Sequence, residues 1–155
     1  MKNMTLESLI ALAIKNEEEA YESYMELCSL VEDPEAKDTL KFLAQEEKQH
    51  KAYLVKYRDG GFRGAALPMD APVDYKIAEQ EAKPEIKKDV RTREVYLIAA
   101  NKELNAANFY QDLAKMHPGG EVKEILLGMA RQEMRHKEKV EYLYSNTAFT
   151  QTAGG

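Results

Sequence analysis

Four segments of the chain carry apolar residues at alternating spacings of four and three, and each of these stripes is interrupted by a glutamate. Such spacing presents one helix face to a core, so the glutamates fall where a helical bundle is driest. The first stripe reads Leu6, Ile10, Ala13, Glu17, Ala20, Tyr24, Leu27 and Val31, and the second Ala36, Leu40, Leu43, Glu47, His50, Leu54 and Tyr57. The third is Tyr96, Ala99, Glu103, Ala106, Tyr110 and Leu113, and the fourth Val122, Leu126, Met129, Glu133, His136, Val140 and Leu143. On the second and fourth stripes the glutamate is followed three residues later by histidine. Residues at i and i+3 share a helix face, so Glu47 with His50, and Glu133 with His136, each address one point.

The turns put these residues at one height. Thr5 is placed to cap the first helix, and Asp33-Pro34 supplies an N-cap and a first-turn proline for the second. His117-Pro118-Gly119-Gly120 separates the third helix from the fourth. Glu17 and Glu47 are equidistant from residue 32, and Glu103 and Glu133 from Pro118. At 1.5 Å rise per residue each lies about 22 Å from its turn, so the carboxylates of each antiparallel hairpin face each other. One offset, 86 positions, carries Glu17 onto Glu103, Ala20 onto Ala106, Tyr24 onto Tyr110, Glu47 onto Glu133 and His50 onto His136. The chain reads as an internal duplication whose repeated polar residues lie on the core stripe.

Four carboxylates converging in a dry interior repel one another and lose hydration, which costs several kcal/mol for each unpartnered charge. Two divalent cations would neutralise them. Two neutral imidazoles added to the set suit iron, manganese or zinc better than calcium or magnesium. A bundle that used buried polar groups only to fix helix register would need one or two, not six at one depth. The six candidate metal ligands are therefore Glu17, Glu47, His50, Glu103, Glu133 and His136. Tyr24 and Tyr110, each seven residues after a stripe glutamate, read as core aromatics whose hydroxyls can support a ligand carboxylate. The remaining histidine, His117, lies in a Pro-Gly turn and is expected to face solvent, while Cys28 is expected to pack as a small apolar residue.

These features set an all-α architecture of two helical hairpins, about 5–57 and 92–145, within one domain of 1–145. The connection of about 58–91 is longer than adjacent antiparallel helices require and matches a crossover along the bundle. From Asn146 to Gly155 the apolar period stops, and a flexible tail is expected there. The 155 residues leave room for a single globular unit. With 22 basic against 27 acidic residues and no basic cluster, nucleic acid and anionic membranes are disfavoured partners. No apolar run approaches the roughly 20 residues needed to span a bilayer, and the start lacks the features of a secretory signal, which makes the cytoplasm the expected location. The single cysteine excludes an internal disulfide and any paired-cysteine metal site.

Taken in order, Glu17-Glu-Glu-Ala20-(x)3-Tyr24, Glu47-Lys-Gln-His50, Glu103-Leu-Asn-Ala106-(x)3-Tyr110 and Glu133-Met-Arg-His136 resemble the rubrerythrin branch of the ferritin-like di-iron carboxylate proteins, over about residues 5–145. The resemblance implies a ferritin-like four-helix bundle holding two iron ions, with manganese or zinc as substitutes. It makes Glu47 and Glu133 bridging or chelating ligands, Glu17 and Glu103 terminal ones, and gives one histidine to each iron. The implied reaction is reduction of hydrogen peroxide or dioxygen with electrons from an external donor such as a rubredoxin. The alternative is a ferroxidase or iron-binding role of ferritin type. A homodimer is implied as well, with the hairpins paired within one chain or swapped between two. Full-length rubrerythrins add a rubredoxin domain, for which this chain lacks the cysteines. Rubrerythrin peroxidases also carry an extra glutamate on the third helix, and here that position is Ala106.

Overall fold

Thr5 opens the first helix by accepting the Ser8 N–H at 3.3 Å, and Leu6–Leu30 follow as α1. Asp33 accepts the Ala36 N–H at 2.9 Å, and with Pro34 at the first helical position it starts α2, Pro34–Arg58. Gly60, at φ +81°, turns the chain out of that helix in the left-handed region where glycine carries no steric cost. The third helix, α3, spans Thr92–Lys115, and the fourth, α4, spans Glu121–Ala153. The structure, a computed structural model, describes residues 4–62, 66–72 and 91–153. Among these residues no helix is long and apolar enough to cross a membrane.

The four helices form an all-α bundle whose apolar core is divided into two blocks. One gathers Leu6, Leu9, Ile10, Leu54, Tyr57, Phe109, Leu113, Val122 and Leu126 from all four helices at the end where α1 begins. The other gathers Leu27, Val31, Ala36, Leu40, Leu43, Val95, Tyr96, Ala99 and Val140 at the opposite end, with Cys28 buried among them. Between the blocks lies the layer of stripe glutamates and histidines, all buried. Both hairpins of this chain contribute to each block.

Two expectations from the sequence are corrected. The stretch after Asn146 continues as helix to Ala153, where a loose tail was expected. No proline or glycine interrupts the chain before Gly154, so backbone hydrogen bonding carries the helix past the end of its apolar stripe. Thr147 Oγ1 donates back to the Leu143 carbonyl at 2.9 Å within this extension.

His117 is buried rather than exposed. At the C-terminal end of α3 the Leu113 carbonyl accepts the Met116 N–H at 3.2 Å and also His117 Nδ1, which donates to it at 2.9 Å. That fixes Nε2 as an acceptor, and the Tyr57 hydroxyl donates to it at 2.6 Å while itself accepting the Leu67 N–H at 3.1 Å. The described part of the connection is thereby tied to both hairpins. It is also tied to α1, because the Leu6 and Glu7 N–H groups donate to Ala71 O and Met69 O, each at 2.8 Å. The remainder of the crossover, residues 63–65 and 73–90, lies outside the described residues.

Removing the Tyr57 hydroxyl should cost about 1–3 kcal/mol, since it leaves a buried ring nitrogen and a backbone N–H without partners. Urea unfolding of Tyr57→Phe measures this. Burial lowers the His117 pKa below 6.5, so its contribution is full above 6.5 and is lost as pH falls through the folded-state value. The stability advantage of the natural chain over His117→Gln should therefore shrink below pH 6.5. A gap that stays constant with pH would contradict the buried neutral ring.

Candidate metal centre

Each hairpin brings three donors to the middle layer: Glu17, Glu47 and His50 from α1 and α2, and Glu103, Glu133 and His136 from α3 and α4. All six ligands expected from the sequence meet. One ligand atom each from Glu47, Glu103, Glu133 and His136 lie within 4.8 Å of one another, and so do atoms from Glu17, Glu47 and His50. The two groups share Glu47, the arrangement of two adjoining cation positions with a carboxylate between them.

Both histidines turn Nδ1 toward the carboxylates. His50 Nδ1 lies 2.7 Å from Glu133 Oε1, 3.9 Å from Glu17 Oε2 and 4.0 Å from Glu47 Oε2, and His136 Nδ1 lies 3.5 Å from Glu103 Oε2. On its far side His50 Nε2 donates to Gln132 Oε1 at 2.9 Å, which leaves the Nδ1 lone pair pointing into the layer. Neither Nδ1 completes a hydrogen bond, and Glu47 Oε1, Glu103 Oε2 and both oxygens of Glu133 are likewise buried without one. Buried carboxylate oxygens are almost always hydrogen-bonded. So many open lone pairs in one place fit the donor set of bound cations.

The two tyrosines act crosswise. Tyr24 of α1 donates to Glu103 Oε1 of α3 at 2.8 Å, and Tyr110 of α3 donates to Glu17 of α1. Sequence spacing places each tyrosine two turns from the glutamate of its own helix, whereas the bundle points it at the equivalent glutamate of the other hairpin. Burial, together with the neighbouring carboxylates, holds both phenols well above 10.0, so they remain proton donors. Each caps one carboxylate oxygen of the equivalent glutamate in the other hairpin.

The electrostatics register the missing counter-charge. Burial pushes Glu133 well above the ordinary carboxylate value, helped by Glu47 and Glu103, and burial also raises Glu47. Burial pushes Glu103 up too, but its close approach to Glu133 and His136, together with the His136 charge, leaves it lowered. For His136 burial is unfavourable to the cation, yet the Glu103 carboxylate prevails and raises it.

Gln132 was not legible as part of the site. It sits next to Glu133, and the only signal was its placement beside a ligand, since the 86-residue offset pairs it with an acid, Glu46, rather than with another amide. His117 and Cys28 are remote from the layer, each within one of the two apolar ends.

The rubrerythrin family model matches residues 1–57 and 94–152, the two hairpins without the connection. The chain belongs to the rubrerythrin family. A crystal structure of a protein from Thermotoga maritima, named a ferritin-like diiron-carboxylate protein, superposes with a TM-score of 0.74 at 22% identity, covering 95% of this chain and 99% of that one. A hypothetical protein from Pyrococcus furiosus superposes with a TM-score of 0.68 at 28% identity, covering 92% and 89% respectively. No match to a curated protein was found. The family membership and the ferritin-like bundle expected from the four motifs thus hold.

Two measurements follow. Tyr24→Phe and Tyr110→Phe should each weaken divalent metal binding about 10- to 100-fold, read by competition with a chromophoric chelator. In metal-free protein, a carboxyl with a raised folded-state pKa stabilises the fold below its unfolded value, near 4.5, and loses that contribution as pH rises through the folded value. Metal-free Glu133→Gln should therefore melt a few degrees above metal-free natural protein at high pH, with the gap closing toward pH 4.5. A variant that is less stable throughout would contradict the buried, uncompensated carboxyl.

Proposed function

We propose that this member of the rubrerythrin family is a non-haem di-iron oxidoreductase that reduces hydrogen peroxide, or dioxygen, with electrons from a separate donor. The observation that carries it is the buried layer of four glutamates and two Nδ1-presenting histidines, joined through Glu47. Glu47 and Glu133 would bridge or chelate, Glu17 and Glu103 would be terminal ligands, and His50 and His136 would each hold one iron. Manganese or zinc fit the same donors. The diiron-carboxylate name of the Thermotoga maritima neighbour agrees with iron as the working metal.

Iron held there supplies one electron per ion, and hydrogen peroxide takes up two electrons and two protons to leave as two waters. The chain's own residues do the rest. The six donors fix the pair of cations, and the Tyr24 and Tyr110 hydroxyls hold Glu103 and Glu17 in place. Gln132 keeps His50 in the tautomer that presents Nδ1. The apolar blocks above and below exclude bulk water, which strengthens every charge interaction between them. A separate donor such as a rubredoxin would return the electrons. We carry the homodimer over from the family likeness. A large shell in size-exclusion chromatography would favour iron storage instead.

The test begins with a metal count on protein from its native host, followed by anaerobic Fe(II) loading and stopped-flow oxidation. About two irons per chain, oxidised far faster by peroxide than by dioxygen, is the expected result, as dinuclear carboxylate sites hold one ion per half-site. Faster reaction with dioxygen, or continued uptake beyond the pair, would move the function to a ferroxidase. Glu47→Ala should lose both ions, since it removes the shared ligand. Natural protein that binds no metal would overturn the assignment.

A further inference from the structure

A cavity of about 290 Å³ lies at the end of the bundle where α2 and α3 begin, beyond the second apolar block and away from the metal layer. Three helices build it: Asp33 and Glu35 at the start of α2, Thr92 and Tyr96 at the start of α3, and Asn146 and Thr147 on α4. The last two lie on the extension of α4 past its apolar stripe, so that extension supplies one wall.

The wall is acidic. Asp33 gives one carboxylate oxygen, Oδ2, to the Ala36 N–H and keeps the other, and neither Asp33 nor Glu35 is ion-paired among the described residues. No basic side chain lines the cavity. The cations adjacent in sequence are engaged elsewhere, Lys37 Nζ donating to the Cys28 carbonyl at 2.7 Å and Arg93 Nη2 to the Tyr144 hydroxyl at 3.0 Å. The starts of α2 and α3 contribute roughly half a positive charge each, which leaves about one net negative charge facing the cavity.

Tyr96 supplies an independent sign of a ligand. It is only 2% exposed, it lines the cavity, and its hydroxyl has no hydrogen-bond partner among the described residues. A buried tyrosine hydroxyl ordinarily finds one. Burial, together with the charges of Asp33 and Glu35, pushes this phenol up to about 12, so it stays neutral with its oxygen lone pairs open to a donor. A bare metal ion suits the place poorly. Among the described residues no three His, Cys, Asp or Glu ligand atoms cluster here, and a water-sized occupant needs only about 10–15 Å³. Leu143 adds an apolar patch to the wall, which a carbon chain can cover.

We propose that this cavity binds an aliphatic ammonium ion, its charge held by Asp33 and Glu35, one N–H donated to the Tyr96 hydroxyl oxygen, and its carbon chain laid along Leu143. The site is separate from the metal centre and does not depend on the di-iron reading. Because its walls come from α2 of one hairpin and from α3 and α4 of the other, an occupant bridges the two hairpins at this end.

The probe is 1,4-diaminobutane, titrated into the full chain by isothermal calorimetry, with 1,4-butanediol as its uncharged counterpart. The diamine should bind saturably with Kd no weaker than about 1 mM, and the diol should not. Asp33→Asn keeps an equally good N-cap while removing the charge, and it and Glu35→Gln should each weaken binding about fivefold, the size of one partly exposed ion pair. Tyr96→Phe should weaken it roughly 10-fold, as loss of a hydrogen bond to a charged group does.

Diol binding as tight as that of the diamine, or affinity unchanged in all three variants, would overturn the proposal. So would displacement of the diamine by an equal concentration of Ca(II), which would make the site one for inorganic cations. Helical circular dichroism reports whether the variants fold. Should any fail, the comparison of diamine with diol on the natural chain decides the matter.

Discussion

Everything in this bundle is arranged around the need to keep four carboxylates out of water without leaving them uncompensated. Glu17, Glu47, Glu103 and Glu133 sit in one buried layer, and the helices on either side bury their apolar residues in separate blocks rather than in one continuous core. A four-helix bundle normally gains its stability from an unbroken apolar stripe. Here the stripe is broken at the same height on every helix, and stability is concentrated at the two ends. The middle is held by hydrogen bonds that Tyr24 and Tyr110 donate and Gln132 accepts and, in the proposed working state, by cations.

The crosswise tyrosines show how the duplication becomes a mechanical device. Because Tyr24 reaches Glu103 and Tyr110 reaches Glu17, neither hairpin supplies the hydroxyl that holds its own glutamate. Each requires the other to be docked before its carboxylate is oriented. The ends reinforce this, since His117 and Tyr57 join the end of α3 to α2 and to the chain that follows it. Orientation of the buried carboxylates and docking of the hairpins are thereby linked.

Much of this was legible in the sequence for a specific physical reason. Charged residues on a core stripe are costly, so Glu17, Glu47, Glu103 and Glu133 advertise themselves, and the i, i+3 histidines with them. What periodicity could not convey was which side chain crosses to which helix. Tyr24 and Tyr110 were visible as core residues near ligands, but their partners depend on how the hairpins pack. Gln132 looked like any surface amide, and His117 was misjudged because a turn composition describes the backbone and not what folds over it. The extension of α4 beyond Asn146 was missed for a related reason. Helix propagation needs only the absence of breakers, while the apolar stripe reports burial.

The 86-residue repeat has a consequence for the history and the tuning of the site. Two copies of the first hairpin alone, related by a two-fold axis, would already present two Glu17, two Glu47 and two His50, the complete donor set with its crosswise tyrosines. In such an ancestor both cations would be identical by symmetry. In one chain that identity is not imposed, and the two halves match at all of these positions while differing beside them. Gln132 now stands where the other repeat has Glu46, Lys102 where it has Asn16, and Gly128 where it has Phe42, whose ring packs edge-on against His136. The donors remain a matched pair while their surroundings have become individual, so selection can adjust one metal position without disturbing its twin.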